Sequence, residues 1–332
     1  MRKGSLYILL VLMVSTLPLQ ACNKKQTATP LPVETNKDFR VIGYLLVDGS
    51  DAVTAASQVN FSAITHLNLA FINPNTTGSF DDNAALTQIV TLAHSHNVKV
   101  LMSIGGGSIP VYFKNFLADD KRNAFVKAIT DEAAKYSFDG VDVDLEGDAV
   151  DSHYTQFVTE LGDALAAQNK LMTAAVATWF GSSVTDGALA KFDFINIMSY
   201  DKTGPWAPGH PGQHAPYSMA VSDIAYWGTT RAVAKNKLNL GLPFYGYGFG
   251  DNNTTSTMHY SDIVSKYPGA ENKDEITLHN GQTMYYNGIP TIKSKTTLAL
   301  QQTGGVMIWE LSQDATGDLS LLKNIHDVVQ GK

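Results

Sequence analysis

The chain has 332 residues, 44% of them hydrophobic and 17% charged, with a formal net charge of −7. This composition is ordinary for a globular protein, and the length suits one large domain or two small ones, an α/β barrel being one single-domain solution. An acidic chain without a basic run is a poor nucleic-acid binder, so no nucleic-acid partner is expected, and a single cysteine allows no disulfide within the chain.

Arg2 and Lys3 precede an apolar run over 6–17, followed by Leu19-Gln20-Ala21-Cys22. A positive start, an apolar core too short to span a bilayer and a small residue before the cut make an export signal. With the one cysteine directly after Ala21, residues 1–22 resemble a bacterial lipoprotein signal. That resemblance implies lipidation of Cys22 and a lipid anchor in a bacterial membrane, at the cell surface or facing the periplasm. A cleaved, secreted protein with Cys22 incidental is the alternative. Residues 23–37 are polar with two prolines and read as a flexible tether; the folded domain is expected over 38–332.

From residue 39 onward, apolar strand-like runs alternate with amphipathic stretches. Strands are expected over 40–46, 64–72, 98–104, 138–146, 171–180, 192–200, 238–244 and 305–309. Helices are expected over 83–96, 111–136, 154–168, 218–234 and 319–329. Eight strands interleaved with helices favour parallel βαβ units closed into a (β/α)8 TIM barrel. The competing open, doubly wound sheet would carry a glycine-rich fingerprint after its first strand, and Gly43-Tyr44-Leu45 is not one. Residues 250–289, rich in Asn, Thr, Gly and Tyr, read as one irregular elaboration too short for a separate domain.

The fourth strand carries the chemistry. In Asp139-Gly140-Val141-Asp142-Val143-Asp144-Leu145-Glu146 the period of two puts Asp142, Asp144 and Glu146 on one face and Val141, Val143 and Leu145 on the other. Carboxylates so crowded repel one another, and burial would raise the pKa of at least one. Barrel active sites lie at the carboxyl ends of the strands. Those ends also hold Ser103 with Gly105 and Gly106, Trp179, Tyr200 with Asp201, Tyr245, and Trp309 with Glu310. An acidic centre ringed by aromatics suits a sugar, whose faces stack and whose hydroxyls need acceptors. A hard cation on the three acids would leave Tyr200 and Trp309 without a purpose. Ser103 and its glycines are consistent with a tight turn alone. Trp227 and His66 read as core, while the spacing of His94 with His96 and of His210 with His214 makes no zinc site.

Four motifs in order, Ser103-Ile104-Gly105-Gly106, the acidic strand, Met198-Ser199-Tyr200-Asp201 and Gly304-Gly305-Val306-Met307-Ile308-Trp309, resemble those of glycoside hydrolase family 18. This is the family of chitinases and certain endo-N-acetylglucosaminidases. The resemblance runs from Gly43 to Asp314. It implies that Glu146 is the general acid, that Asp144 holds the substrate's 2-acetamido group with Asp142 sharing its proton, and that Tyr200 donates to the acetamido oxygen. Asp201 would contact the sugar and Trp309 would floor the site, with Tyr44, Phe71, Met198, Trp179, Trp206 and Tyr245 as further substrate contacts. Neither a metal nor a cofactor is implied. Tyr247 stands where many members carry an arginine. Larger members insert an α+β domain after strand seven, for which 250–289 is too short, so the groove should be shallow and open.

The expected activity is retaining, substrate-assisted hydrolysis of β-1,4 bonds in N-acetylglucosamine-containing oligo- or polysaccharides by a monomer. An endo-N-acetylglucosaminidase acting on N-glycan cores and a non-catalytic glycan-binding lectin are the alternatives.

Overall fold

A computed structural model of the chain describes Met1, residues 38–47, Gly49 and residues 51–332. The signal, Cys22 and the tether lie outside the described residues.

The apolar runs form β1 (Arg40–Leu46), β2 (His66–Ala70), β3 (Lys99–Gly105), β4 (Gly140–Asp144), β5 (Leu171–Val176), β6 (Phe194–Ile197) and β7 (Leu238–Pro243). After β7 come β8 (Tyr245–Phe249), β9 (Thr255–His259), β10 (Glu275–Thr277), β11 (Thr283–Tyr285) and finally β12 (Gly305–Trp309). Parallel pairing runs from β1 through β7 to β12, and β12 pairs back onto β1. That last ladder closes the barrel and excludes the doubly wound sheet.

The described helices are α1 (Ala52–Gln58), α2 (Ala84–Ser95), α3 (Arg122–Lys135), α4 (Tyr154–Ala166), α5 (Asp186–Lys191), α6 (Tyr217–Ala225), α7 (Tyr260–Lys266), α8 (Ile289–Gln302) and α9 (Leu321–Val329). In α2, Leu86, Ile89, Val90 and Ala93 make one buried stripe, and Asn83 caps the start by accepting from the Ala85 amide. Asp314 plays a related part for α9, accepting from the amides of Ala315, Leu321 and Leu322 and from the Ser320 hydroxyl. Asp314→Ala strands those donors at the half-buried start of α9. A loss of about 2–3 kcal/mol in urea-unfolding stability is expected, and a change below ~0.5 kcal/mol would show that the loop re-satisfies itself.

Several boundaries differ from the sequence reading. The helix expected over 111–136 starts only at Arg122; Phe113 and Phe116 bury from a single 3-10 turn instead. The strand expected over 171–180 ends at Val176, and that over 192–200 spans Phe194–Ile197, because the residues beyond leave the ladder to form the rim. The helix expected over 218–234 is α6 followed by a π-turn at Tyr226–Thr230. α1 and α5 escaped notice because they are short, with only two buried residues each. Residues 250–289 are not irregular. They carry α7 and β9–β11, which join β8 in a four-stranded antiparallel sheet ordered β10-β11-β8-β9. In β8 the period of two is plain, Tyr245, Tyr247 and Phe249 alternating with Gly246 and Gly248.

Aliphatic residues of the outward strand faces pack under the helices. The barrel interior is different. Asn68, Ser103, Asp142, Thr173, Asn196 and Asn239 are fully buried there, so the acidic strand faces a polar lumen.

Candidate active site

Asp142 sits at the centre of that lumen. In register it lies opposite Ser103 on β3 and Thr173 on β5. Its Oδ2 accepts from the Tyr44 hydroxyl at 2.7 Å and Ser103 Oγ at 2.8 Å, and its Oδ1 from Thr173 Oγ1 at 2.5 Å and Asn196 Nδ2 at 3.4 Å. Burial raises its pKa above the usual carboxylate range, and the Thr173, Tyr44 and Ser103 donors offset only part of that rise. A carboxylate with donors on both oxygens is suited to carrying the negative charge.

Asp144, one step nearer the mouth, is the opposite case. It is buried, its Oδ1 has no protein partner, and burial, Glu146 and Asp142 all push its pKa well above the usual range. Of the two adjacent acids, Asp144 therefore has the fewer donors to stabilise its charged form.

Glu146 lies just past the end of β4, half-buried. Its pKa is raised to about 7, first by burial and then by the charge of Asp201. The carboxylate that adds to the effect of burial therefore comes from the loop after β6, not from Asp142 on its own strand. Asp201 is placed by a backbone φ of +62°; its Oδ1 accepts from the Tyr245 hydroxyl at 2.5 Å, with His214 Nδ1 3.4 Å away. Tyr200 points its hydroxyl to Met307 Sδ at 3.9 Å. Burial first, then Asp144, Asp201 and Glu146, hold its pKa far above normal, so it stays a donor.

The floor is aromatic. The Trp309 ring lies 5.6 Å from Phe71 at 28° and 5.3 Å from Tyr44, and Met198 packs on the same cluster. The glycines after β3 make this close approach possible. Gly105 has φ +109°, and a Cβ there would stand 2.1 Å from the Asp144 carbonyl oxygen; the Gly106 amide donates to that same oxygen at 2.7 Å. The motif is thus a turn that locks β3 onto β4, while Ser103 serves Asp142.

The structure gathers Glu146, Asp144, Asp142, Tyr200, Asp201, Tyr245, Phe71, Met198 and Trp309 at one end of the barrel. Tyr44 is buried beside the same cluster, its hydroxyl donating to Asp142 and its ring against Trp309. Trp179 and Trp206 lie at the rim, 72% and 60% exposed; Trp179 covers Gly147, next to Glu146, and Trp206 stands edge-on to Tyr247 at 5.5 Å. Asp139 faces away and pairs with His94 at 2.8 Å. Trp227 and His66 are core, as their apolar neighbours in sequence suggested.

Sequence reasoning missed Thr173, Asn196 and His214. The first two had a usable signal, being polar residues in the inward phase of apolar strands. His214 had none: it is fully buried against Tyr245 and Tyr247, thirteen residues past Asp201 in the β6–α6 connection. Two cavities, of about 430 Å³ by Leu311–Lys323 and about 300 Å³ by His94 and Asp139, lie away from the acids. Among the described residues, no group of three His, Cys, Asp or Glu side chains could hold a metal ion.

Comparison with known proteins adds relatives to this geometry. The model of the family described as Glycosyl hydrolases family 18 matches residues 40–314. The crystal structure of the GH18 chitinase ChiB from the chitin utilization locus of Flavobacterium johnsoniae is similar at a TM-score of 0.80 and 38% identity, over 88% of this chain and 94% of that one. A chitinase from Bacteroides thetaiotaomicron matches at a TM-score of 0.76 and 31% identity, over 89% and 97%. A chitinase-like effector of Moniliophthora roreri is 32% identical over 253 residues, 66% of this chain and 61% of that protein. The chain thus spans less than two thirds of that relative's length.

Proposed function

Because this chain belongs to the glycosyl hydrolases of family 18, we propose that it hydrolyses β-1,4 bonds between N-acetylglucosamine units, chitin and chitooligosaccharides being the preferred class. The carrying observation is the division of labour among the acids. Glu146 at the mouth has its pKa near 7, while Asp144 is buried with a free oxygen beside it. The chitinase relatives at 38% and 31% identity support the substrate class.

The family is a recognised exception to the two-carboxylate scheme of glycoside hydrolysis. Protonated Glu146 gives its proton to the glycosidic oxygen as the bond from that oxygen to the anomeric carbon breaks. The sugar's own acetamido oxygen attacks the same carbon from the opposite face, forming an oxazolinium. Asp144 accepts from the acetamido N–H, and Tyr200 donates to the acetamido oxygen. Glu146, now a carboxylate, takes a proton from the water that reopens the ring. Two inversions give net retention. Trp309 and Phe71 supply the apolar face on which the sugar stacks, and exposed Trp179 and Trp206 extend an open groove to either side.

Product masses from chitohexaose and from a high-mannose glycopeptide, run side by side, test the reading. Short chitooligosaccharides from the first and no cleavage of the second are expected. Cleavage of the glycopeptide alone would make the protein an endo-N-acetylglucosaminidase, and no cleavage of either would leave a lectin. The pH profile is a separate check. The free protein is competent only while Glu146 is protonated, a fraction that falls as pH rises through about 7. kcat/KM should therefore drop about tenfold per unit above that point; a flat profile to pH 9 would remove Glu146 as the acid.

A further inference from the structure

The lumen below the acids holds a polar chain that the hydrolysis scheme does not use. At its far end is Arg40, the first residue of β1. Its Nε donates to Asn239 Oδ1 at 2.9 Å, Asn239 Nδ2 donates to Asn196 Oδ1 at 3.1 Å, and Asn196 Nδ2 donates to Asp142 Oδ1 at 3.4 Å. All three bonds run the same way, from cation to carboxylate. In such a chain each bond polarises the next, so the positive end of every dipole faces Asp142. A branch reaches the Tyr44 hydroxyl, itself a donor to Asp142, at 3.3 Å from Asn196 Nδ2.

The sequence makes room for this chain. Between Arg40 and Asn239 in the barrel wall lies Gly305, in register with both. A Cβ there would stand 2.4 Å from Asn239 Oδ1 and 2.8 Å from Arg40 Cβ, so a side chain on β12 at this level would sever the link. Arg40 is further fixed by its Nη2 bond to the Asn236 carbonyl at 2.5 Å and by Phe194, whose ring centre is 4.5 Å from the guanidinium. Burial lowers the Arg40 pKa to about 10, which leaves it a cation at neutral pH.

We propose that Arg40, Asn239 and Asn196 are positioning residues that act through Asp142, holding it as the anion so that the proton of the Asp142–Asp144 pair stays on Asp144. The catalytic consequence rests on the hydrolase reading above; the effect on Asp142 does not. Other ionisable groups facing the carboxylate are Asp144 on its own strand, Tyr44 and Tyr154, none of them cationic. At the Arg40 end stand Lys99, which is exposed, and His66, whose pKa burial lowers to about 4 and which is neutral at working pH. Arg40 is the cation joined to Asp142 by hydrogen bonds.

The test reads Asp142 directly, by titrating its carboxyl ¹³C signal in the unliganded protein, assigned by its loss in Asp142→Asn. Arg40→Gln removes the charge and keeps a donor; its Asp142 midpoint should rise by about one pH unit. Arg40→Lys should restore most of that difference. Asn239→Ser, which cuts the chain while sparing the guanidinium, should reproduce the Gln result and serves if Arg40→Gln fails to fold. In folded variants with unchanged KM, kcat should fall about fivefold to tenfold, with the acid limb moved to higher pH. Midpoints unmoved in the Gln and Ser variants, or moved as far by Lys as by Gln, overturn the proposal. An inactive wild type whose midpoints still shift as stated would sink the hydrolase reading and leave the relay standing.

Discussion

Glu146→Gln is expected to cut turnover of chitohexaose by about 10²–10⁴ and to leave binding of the same oligosaccharide unchanged. Glutamine matches the shape of the acid and keeps a donor at the groove, but its amide cannot release a proton at neutral pH. The aromatic floor of Trp309 and Phe71 is untouched, and the Asp201–Tyr245 bond at 2.5 Å does not involve Glu146. Kinetics with a fluorogenic chitobioside and calorimetry with chitohexaose separate the two quantities. Turnover within about threefold of wild type would move the proton donor elsewhere. Loss of binding equal to the loss of rate would mean that Glu146 holds substrate in its ground state.

The second large effect belongs to Asp144→Asn, with a fall in kcat of about 10²–10³, the scale for losing one preorganised stabiliser. The free Oδ1 of Asp144 is the buried acceptor that the acetamido N–H meets. An asparagine there presents either a weaker, neutral oxygen or an N–H facing an N–H. The acetamido N–H, more polar as the oxazolinium forms, then loses its acceptor in a site where water cannot help. A thiazoline mimic of that intermediate should bind the wild type at least about 10² more tightly than substrate does, and should lose most of that advantage in the variant. Weak thiazoline binding to the wild type would rule out attack by the acetamido oxygen, whatever the rate of Asp144→Asn.

These expectations differ in origin. Glu146 and Asp144 were legible as a pair because a strand repeats every two residues, so their common face follows from spacing alone. Their unequal roles came from the family resemblance, and spacing alone could not supply the physical cause. Spacing makes the acids neighbours, and neighbours on one strand were expected to tune one another. In the folded protein, the carboxylate that adds to burial in raising Glu146 is Asp201, from the loop after a strand two places round the barrel. The difference between Asp142 and Asp144 lies in their partners: Tyr44, Ser103, Thr173 and Asn196 converge on the former from four other strands, and the Oδ1 of the latter is left bare.

By itself the sequence determined the barrel, the end at which chemistry occurs, the acidic face and the family, since periodicity, strand count and motif order are local or additive along the chain. Only the tertiary structure decided which groups surround each acid, and that 250–289 adds three strands to a second sheet. It also revealed that Arg40, more than a hundred residues before Asn196, is linked to Asp142 through Asn239 and Asn196. The physical reason is common to all of them. Charge and solvation depend on distance through space, and closing the barrel brings together strands that the sequence keeps far apart.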